Sequence, residues 1–289
     1  MRMIFNTEIR SLLDIIRGEL IPDQELFLVG GAVRDALLGQ EINDLDFSLP
    51  ANPASLVKKL AKRLGVGYFI LDDDRHTARL MYHNKHDDLF SIDFAQFTGG
   101  DLNADLRNRD FSVNAMAISI HDLHTLIDPL NGEHDLQAGL LQPCSNHSLL
   151  DDPLRVLRGI RLAWQFGFKY SYSLKEMMRT AAEQLPRISF ERQRDELFKI
   201  LEGPNPASAL SNCYEFKVFD TLLPPLKELD GISPSPPHVF SLFEHTMKAV
   251  EYCDLLINEL TSGEIFEDLD NWWLDEALSS FSPLSDEIR

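Results

Sequence analysis

The strongest constraint in this chain is the run Phe27-Leu-Val-Gly-Gly-Ala-Val-Arg-Asp-Ala-Leu-Leu-Gly-Gln-Glu-Ile-Asn-Asp-Leu-Asp-Phe-Ser48, which joins an apolar strand, a glycine turn, a short helix and a pair of carboxylates. Phe27, Leu28 and Val29 predict a short strand. Gly30 and Gly31, lacking Cβ, let the backbone turn sharply and come close to a ligand such as a polyphosphate. Ala32 to Leu38 predicts a helix of about two turns whose first N–H groups point back at the glycines, with Gly39 as its stop. Arg34 adds a permanent cation to that first turn. Asp44-Leu-Asp-Phe47 then alternates with period two, so a strand here sets Asp44 and Asp46 on one face, with Cα atoms about 6.5 to 7 Å apart. Two carboxylates so spaced can share hard divalent cations, and Mg²⁺ takes a few carboxylates completed by phosphate oxygens and water. Each piece alone also reads as a loop or a solvated edge; the ordered string carries the specificity.

The surrounding pattern supplies a sheet and its cover. Ile9, Leu12, Leu13, Ile16 and Leu20 fall at helical spacing within Thr7 to Leu20 and predict an amphipathic helix under the first strand. Pro53 to Leu64 predicts another, with Lys58, Lys59, Lys62 and Arg63 on a solvated side. Tyr68 to Leu71, Ala78 to His83 and Leu89 to Phe94 predict strands that extend the sheet, with an acidic turn at Asp72 to Thr77. Asp93, in Ser91-Ile-Asp-Phe94, either lies near the first two aspartates or simply ends an edge strand.

Two later constellations carry charge in a regular pattern. Leu106 to Ala117 contains Arg107, Arg109, Asp110 and Asn114, and on its own would pass as a capped helix with a salt bridge. In Asp151-Asp-Pro-Leu-Arg-Val-Leu-Arg-Gly-Ile-Arg-Leu-Ala-Trp-Gln-Phe166, Pro153 suits an early helical position and Asp151 or Asp152 can cap the start. At 100° per residue, Asp152, Arg155, Arg158 and Arg161 trace a sloping polar stripe, while Val156, Leu157, Ile160, Ala163 and Trp164 gather opposite. Periodicity alone favours a solvated basic helix.

Taken in order, these motifs resemble the class II tRNA nucleotidyltransferase and bacterial poly(A) polymerase family. Gly30-Gly31-Ala32-Val33-Arg34-Asp35 with Leu38-Gly39 and Asp44-x-Asp46 is similar to its first signature. Arg109-Asp-Phe-Ser-Val-Asn-Ala115 is similar to its Arg-Asp-Phe-Thr-x-Asn-Ala motif, with Ser112 for Thr and with Asn108 separating Arg107 from Arg109. Asp151-Asp-Pro-Leu-Arg155, followed by Arg158 and Arg161, is similar to its Glu-Asp-x-x-Arg motif, with Asp for the leading Glu. Ile127 to Leu136 matches its head-to-neck segment, read as a structural turn, and Ile188 to Leu201 its neck helix, with Glu191 as support.

The resemblance implies an α+β fold, in which a polymerase-β-like nucleotidyltransferase head with a mixed sheet is followed by an all-helical neck and body. It implies attack by an RNA 3′ hydroxyl on the α-phosphorus of ATP or CTP, with Asp44 and Asp46 as catalytic metal ligands for two Mg²⁺ ions and Asp93 as a third carboxylate. Gly30, Gly31, Arg34, Arg109, Asp152, Arg155, Arg158 and Arg161 become nucleotide-binding residues. Asp152 and Arg155 then read base edges, a carboxylate accepting from the exocyclic amino group that A and C both carry.

The implied division is a head at 1-140, a helical nucleotide- and RNA-binding neck at 141-230, and a short helical segment at 231-289. His238 to Met247 in that last segment resembles the opening of an HD-type helical domain. No histidine follows His245, so it reads as a remnant without hydrolase activity. The formal charge of -19 argues against a nucleic-acid partner until its distribution is read. Glu251 to Arg289 holds eleven acidic residues and one basic, whereas Asp151 to Glu202 holds ten basic and eight acidic, which leaves room for a local positive groove. Cys144, Cys213 and Cys253 are widely spaced and suggest free thiols. The first twenty residues are too charged for a signal peptide and no run approaches a membrane span, so the expected location is the cytoplasm. The acceptor is expected to be a tRNA 3′ end. A poly(A) polymerase, and an RNA- or partner-binding homologue without turnover, stay open, as does a homo-oligomer built through the acidic, Trp-containing end.

Overall fold

Leu45, Phe47 and Leu49 are buried on one side of their strand while Asp44 and Asp46 face the other way, so hydrophobic alternation alone fixes which side of the first sheet is core. The computed structural model describes residues 3–72, 76–83, 89–234 and 239–262. Turn residues 73–75, the Pro-rich boundary from Ser235 with His238, and the acidic end from 263 onward lie outside the described residues. The chain forms two units, Met1–Asp151 with Lys169–Leu174, and Asp152–Phe168 with Lys175–Arg289.

The first unit runs α1 (Thr7–Gly18), β1 (Phe27–Val29), α2 (Gly31–Leu38), β2 (Asp44–Leu49), α3 (Ala54–Leu64), β3 (Tyr68–Asp72), β4 (Thr77–His83) and β5 (Leu89–Gln96). It continues through α4 (Leu102–Arg107), a 3₁₀ turn at Ser112–Asn114, β6 (Ala117–Ser119), β7 (Asp122–Ile127), α5 (Gly132–Ala138), β8 (Leu140–Leu141) and α6 (Ser148–Asp151). Among the described residues its main sheet has the order β3-β4-β5-β2-β1-β6-β7. The β2 and β5 pair is parallel and the others are antiparallel, so the sheet is mixed.

Burial explains the layering. Phe47 and Phe94 stack at 5.1 Å between ring centroids, and Leu28, Leu45, Leu80 and Ile92 are fully enclosed. Burying each such side chain contributes about 1.5 to 3 kcal/mol. Asn6 caps α1 by accepting from the Ile9 N–H at 2.8 Å, and Leu12, Leu13 and Ile16 of that helix are buried. Helix α3 packs on β3 and β4. Its basic side is more than solvated surface, because Lys59 and Arg63 both pair with Glu19.

Leu106 to Ala117 is not one helix. Helix α4 stops at Arg107, Asn108 follows as its C-cap, and the chain makes the separate 3₁₀ turn before entering β6. Gly132 permits that turn to sit against the start of α5, since a Cβ there would overlap the Ser112 carbonyl. Asp128 caps α5 through the N–H groups of Gly132 and Glu133, at 2.7 and 2.9 Å.

Helices dominate the second unit: α7 (Arg155–Phe166), α8 (Tyr172–Ala182) from Lys175 onward, α9 (Phe190–Leu201), α10 (Pro206–Glu215), α11 (Pro224–Glu228) and α12 (Leu242–Ser262). The short strand β9 (Lys169–Tyr170), between α7 and α8, belongs to the first unit, where it pairs in parallel with β8. Val156, Leu157, Ile160 and Ala163 bury the apolar side of α7, which packs on α9 and α10. Asp152 accepts the Leu154 N–H at 3.3 Å ahead of that helix. Among the described residues no helix is long and apolar enough to cross a membrane.

Candidate active site

The glycine turn is shaped by what stands beside it. Gly30 sits at φ +76°, a conformation that L side chains rarely adopt. A Cβ at this position would come within 2.9 Å of Arg109 Nη1 and 3.3 Å of Asp46 Oδ2. The hollow left by the missing side chain is therefore bordered by one guanidinium and one carboxylate. Gly30, Asp46 and Arg109 come together although 79 positions separate the first from the last.

Cross-strand register arranges the carboxylates. Asp46 lies opposite Asp93 in the parallel pair, and Asp93 lies opposite Arg79 in the antiparallel pair, which makes one row across β2, β5 and β4. Asp44, two residues before Asp46, faces the same side and is exposed. Asp93 is held by Arg79 through both oxygens, Nε to Oδ1 at 2.7 Å and Nη2 to Oδ2 at 2.7 Å. The Arg79 pKa is pushed up, first by these hydrogen bonds and then, against the opposing effect of burial, by the charges of Asp93, Asp46 and Asp44. Among the described residues no three His, Cys, Asp or Glu side chains are gathered to hold a metal ion. The all-oxygen pair Asp44 and Asp46, beside a hollow that a Cβ would fill, still suits a hard divalent ion completed by other oxygens.

Arg109 is positioned by residues that the sequence reading did not single out. Its Nη2 donates to Ser48 Oγ at 3.3 Å and lies 3.5 Å from Asp105 Oδ2. Buried Asp105 in turn accepts from Ser48 Oγ at 3.0 Å and from the Thr98 N–H at 2.9 Å. Two signals pointed to these residues: Ser48 continues the period-two run from Asp44, and Asp105 precedes Arg109 by one helical turn.

Arg34 is placed differently from an open phosphate cation. It is 7% exposed, and its guanidinium donates to Asp35 through Nε and Nη2 and to Asn114 Oδ1 through Nη1 at 2.6 Å. Asn114 then donates to Asp110, whose Oδ1 also accepts the Phe111 N–H. This chain ties α2 to the 3₁₀ turn. Burial raises the Asp35 pKa against the attraction of Arg34, and the charge of Asp44 adds to the rise.

In the second unit the basic stripe of α7 is met by carboxylates. Arg161 Nε donates to Glu196 Oε2 at 3.0 Å, and Lys199 lies 3.3 Å from Glu196 Oε1. Burial would raise the Glu196 carboxyl, but Arg161, Arg158 and Lys199 together outweigh it and hold the group below the usual range. Asp152 Oδ2 accepts from Arg192 at 2.8 Å in a more exposed pair. Arg155 and Arg158 are half-buried. Arg161, Trp164 and Lys199 border a cavity of 370 Å³, with the Trp164 Nε1–H donated to Asn212.

A family model described as "Poly A polymerase head domain" matches residues 26–142, and one described as "Probable RNA and SrmB- binding site of polymerase A" matches residues 167–229. The chain thus carries the head and RNA-binding domains of the poly(A) polymerase and tRNA nucleotidyltransferase family. Among its relatives, the CC-adding tRNA nucleotidyltransferase of Synechocystis sp. is 39% identical over 187 residues, covering 64% of this chain and 43% of that protein. The A-adding tRNA nucleotidyltransferase of Deinococcus radiodurans is 33% identical over 228 residues, covering 77% and 50%. The solved Thermotoga maritima CCA-adding enzyme complexed with tRNA matches with a TM-score of 0.71 at 28% identity, over 99% of this chain and 70% of that one. The chain thus spans about half the length of the curated relatives it matches. The α+β class of this family, a mixed-sheet head followed by helices, is the architecture observed.

Proposed function

We propose that this chain transfers AMP, CMP or both from ATP or CTP to the 3′ end of RNA, with tRNA as the acceptor and the cytoplasm as the site of action. The observation that carries the reading is the hollow at Gly30, bordered by Asp46 and Arg109, within a family whose relatives here bear the names of CC-adding and A-adding tRNA nucleotidyltransferases.

Asp44 and Asp46 would hold Mg²⁺. When bound, the ion supplies a positive charge that lowers the pKa of the attacking hydroxyl and offsets the triphosphate. Gly30 and Gly31 admit the triphosphate close to the backbone, and Arg109, fixed by Ser48 and Asp105, presents its guanidinium there. Arg34 acts through Asn114 and Asp35 as a positioning residue for the turn. Base choice falls to Asp152 and Arg155, with Arg158 beside them on the same helix. Arg161, engaged by Glu196, supports the helix that carries them. The pairing of Asp152 with Arg192 leaves a carboxylate that can still accept from an amino group. With no template strand, the protein selects the base by these hydrogen bonds.

The test supplies labelled ATP or CTP and Mg²⁺ with three acceptors: tRNA lacking its terminal CCA, tRNA ending in CC, and an unstructured RNA. The expected result is addition of one to three nucleotides to a tRNA. Long A tails on the unstructured RNA would replace this reading by poly(A) synthesis, and no incorporation on any acceptor would remove the enzymatic reading.

A further inference from the structure

Arg79 stands in the carboxylate row without a part in the reaction as described. Its guanidinium faces Asp93 across the antiparallel pair and takes both carboxylate oxygens at 2.7 Å, the two-pronged geometry that makes arginine–carboxylate pairs strong and directional. Arg79 is 38% exposed and Asp93 23%, so water weakens the pair without abolishing it. The next residue in the row is Asp46, opposite Asp93 on the neighbouring strand about 4.8 Å away. With Asp44, the row carries three carboxylates and the guanidinium of Arg79, and Arg109 stands beside Asp46 at the Gly30 hollow.

That arrangement has consequences for a divalent ion. Both Asp93 oxygens already accept from Arg79 through the lone pairs that face it, so while that grip holds an ion meets only the outer, less basic lone pairs of Asp93, and full ligation follows its opening. Arg79 also cancels one of the three negative charges, which lowers the attraction of the face for a free cation. The oxygens completing the ion's shell must then come from water or from triphosphate, and Mg²⁺ commonly takes one or two carboxylates plus substrate phosphates.

We propose that Arg79 is a positioning residue that keeps Asp93 out of the cation-binding pair Asp44 and Asp46, so that the divalent ion enters with the triphosphate rather than ahead of it. This rests on the assignment of Asp44 and Asp46 as ion ligands.

Mn²⁺ binding to the full chain without nucleotide tests it, with the free ion counted by electron paramagnetic resonance and the water on the bound ion by proton relaxation. Arg79→Met should tighten Mn²⁺ binding about three- to tenfold and lower the relaxivity per bound ion, as Asp93 replaces a water. Both changes should vanish in Arg79→Met combined with Asp93→Asn. If Arg79→Met binds Mn²⁺ no more tightly, or keeps the wild-type relaxivity, the proposal is overturned. Should Arg79→Met not fold by circular dichroism, Arg79→Lys keeps the charge but not the two-oxygen grip; about a twofold gain is expected, and none overturns the proposal. Asp46→Asn separates the two ideas. Mn²⁺ binding unchanged by Asp46→Asn removes the metal assignment itself. Binding lost in Asp46→Asn but unmoved by Arg79→Met removes the role of Arg79 alone.

Discussion

The carboxylate row of the head sheet and the basic stripe of α7 are both charged, but they are balanced differently. On β2, β5 and β4, Asp44, Asp46 and Asp93 face two guanidiniums, Arg79 on Asp93 and Arg109 beside Asp46, so negative charge stays in excess on that face. On α7 and α9, Arg161 and Lys199 meet the buried Glu196, whose negative charge is more than matched. A surplus of one sign is what a site needs to receive the other sign from outside, whereas a matched buried pair fixes two elements together. Charge removal should therefore cost activity in the first region and stability in the second.

The largest expected effect breaks the sheet side of that contrast. Asp46→Asn should lower nucleotide incorporation by at least about a thousandfold, about 4 kcal/mol of transition-state stabilisation, while circular dichroism and melting temperature stay near wild type. A variant that melts much earlier would place Asp46 among the structural charges instead.

Next comes Glu196→Gln, which leaves Arg161 and Lys199 without a matching charge. A loss of about 2 to 3 kcal/mol in denaturant unfolding is expected. The Glu196 pKa is lowered on folding, so its contribution is complete above the unfolded value and fades as the pH falls through the folded one. The difference between wild type and Glu196→Gln should accordingly shrink below about pH 4.3. A constant difference across acid pH would show that packing rather than charge accounts for it.

The smallest effect sharpens the helix side. Arg192→Ala removes an ion pair with Asp152 whose side chains are 52% and 29% exposed. Stability should change by less than about 1 kcal/mol, and a larger loss would mean that this pair resembles Glu196 more than its exposure suggests.

What the sequence made visible follows from how far apart the deciding residues lie. The period-two run Asp44 to Phe47 and the Gly30 turn could be read directly because strand alternation and glycine stereochemistry are local. Strands β3, β4 and β5 were likewise predicted to within one or two residues at their ends. The fork of Arg79 on Asp93 depends on register between strands; Ser48 and Asp105 each sit at a locally periodic position, but their meeting with Arg109 depends on a helix returning to β2. The surroundings of Arg34 are also decided at long range. Its position in the first turn of α2 suggests an open cation, yet Asn114, 80 residues later, decides that the guanidinium is buried. Likewise a Gly-free stretch from Leu106 to Ala117 gives little warning that α4 ends at Arg107.

The return of Lys169–Leu174 to the first unit bears on how this protein can be recombined. A gene segment ending at residue 151 would carry β8 without its parallel partner β9, and one starting at 152 would carry β9 away from the strand it pairs with. The first unit is therefore encoded as two pieces with helix α7 between them, and exchange between relatives by a single crossover at that border would interrupt a sheet.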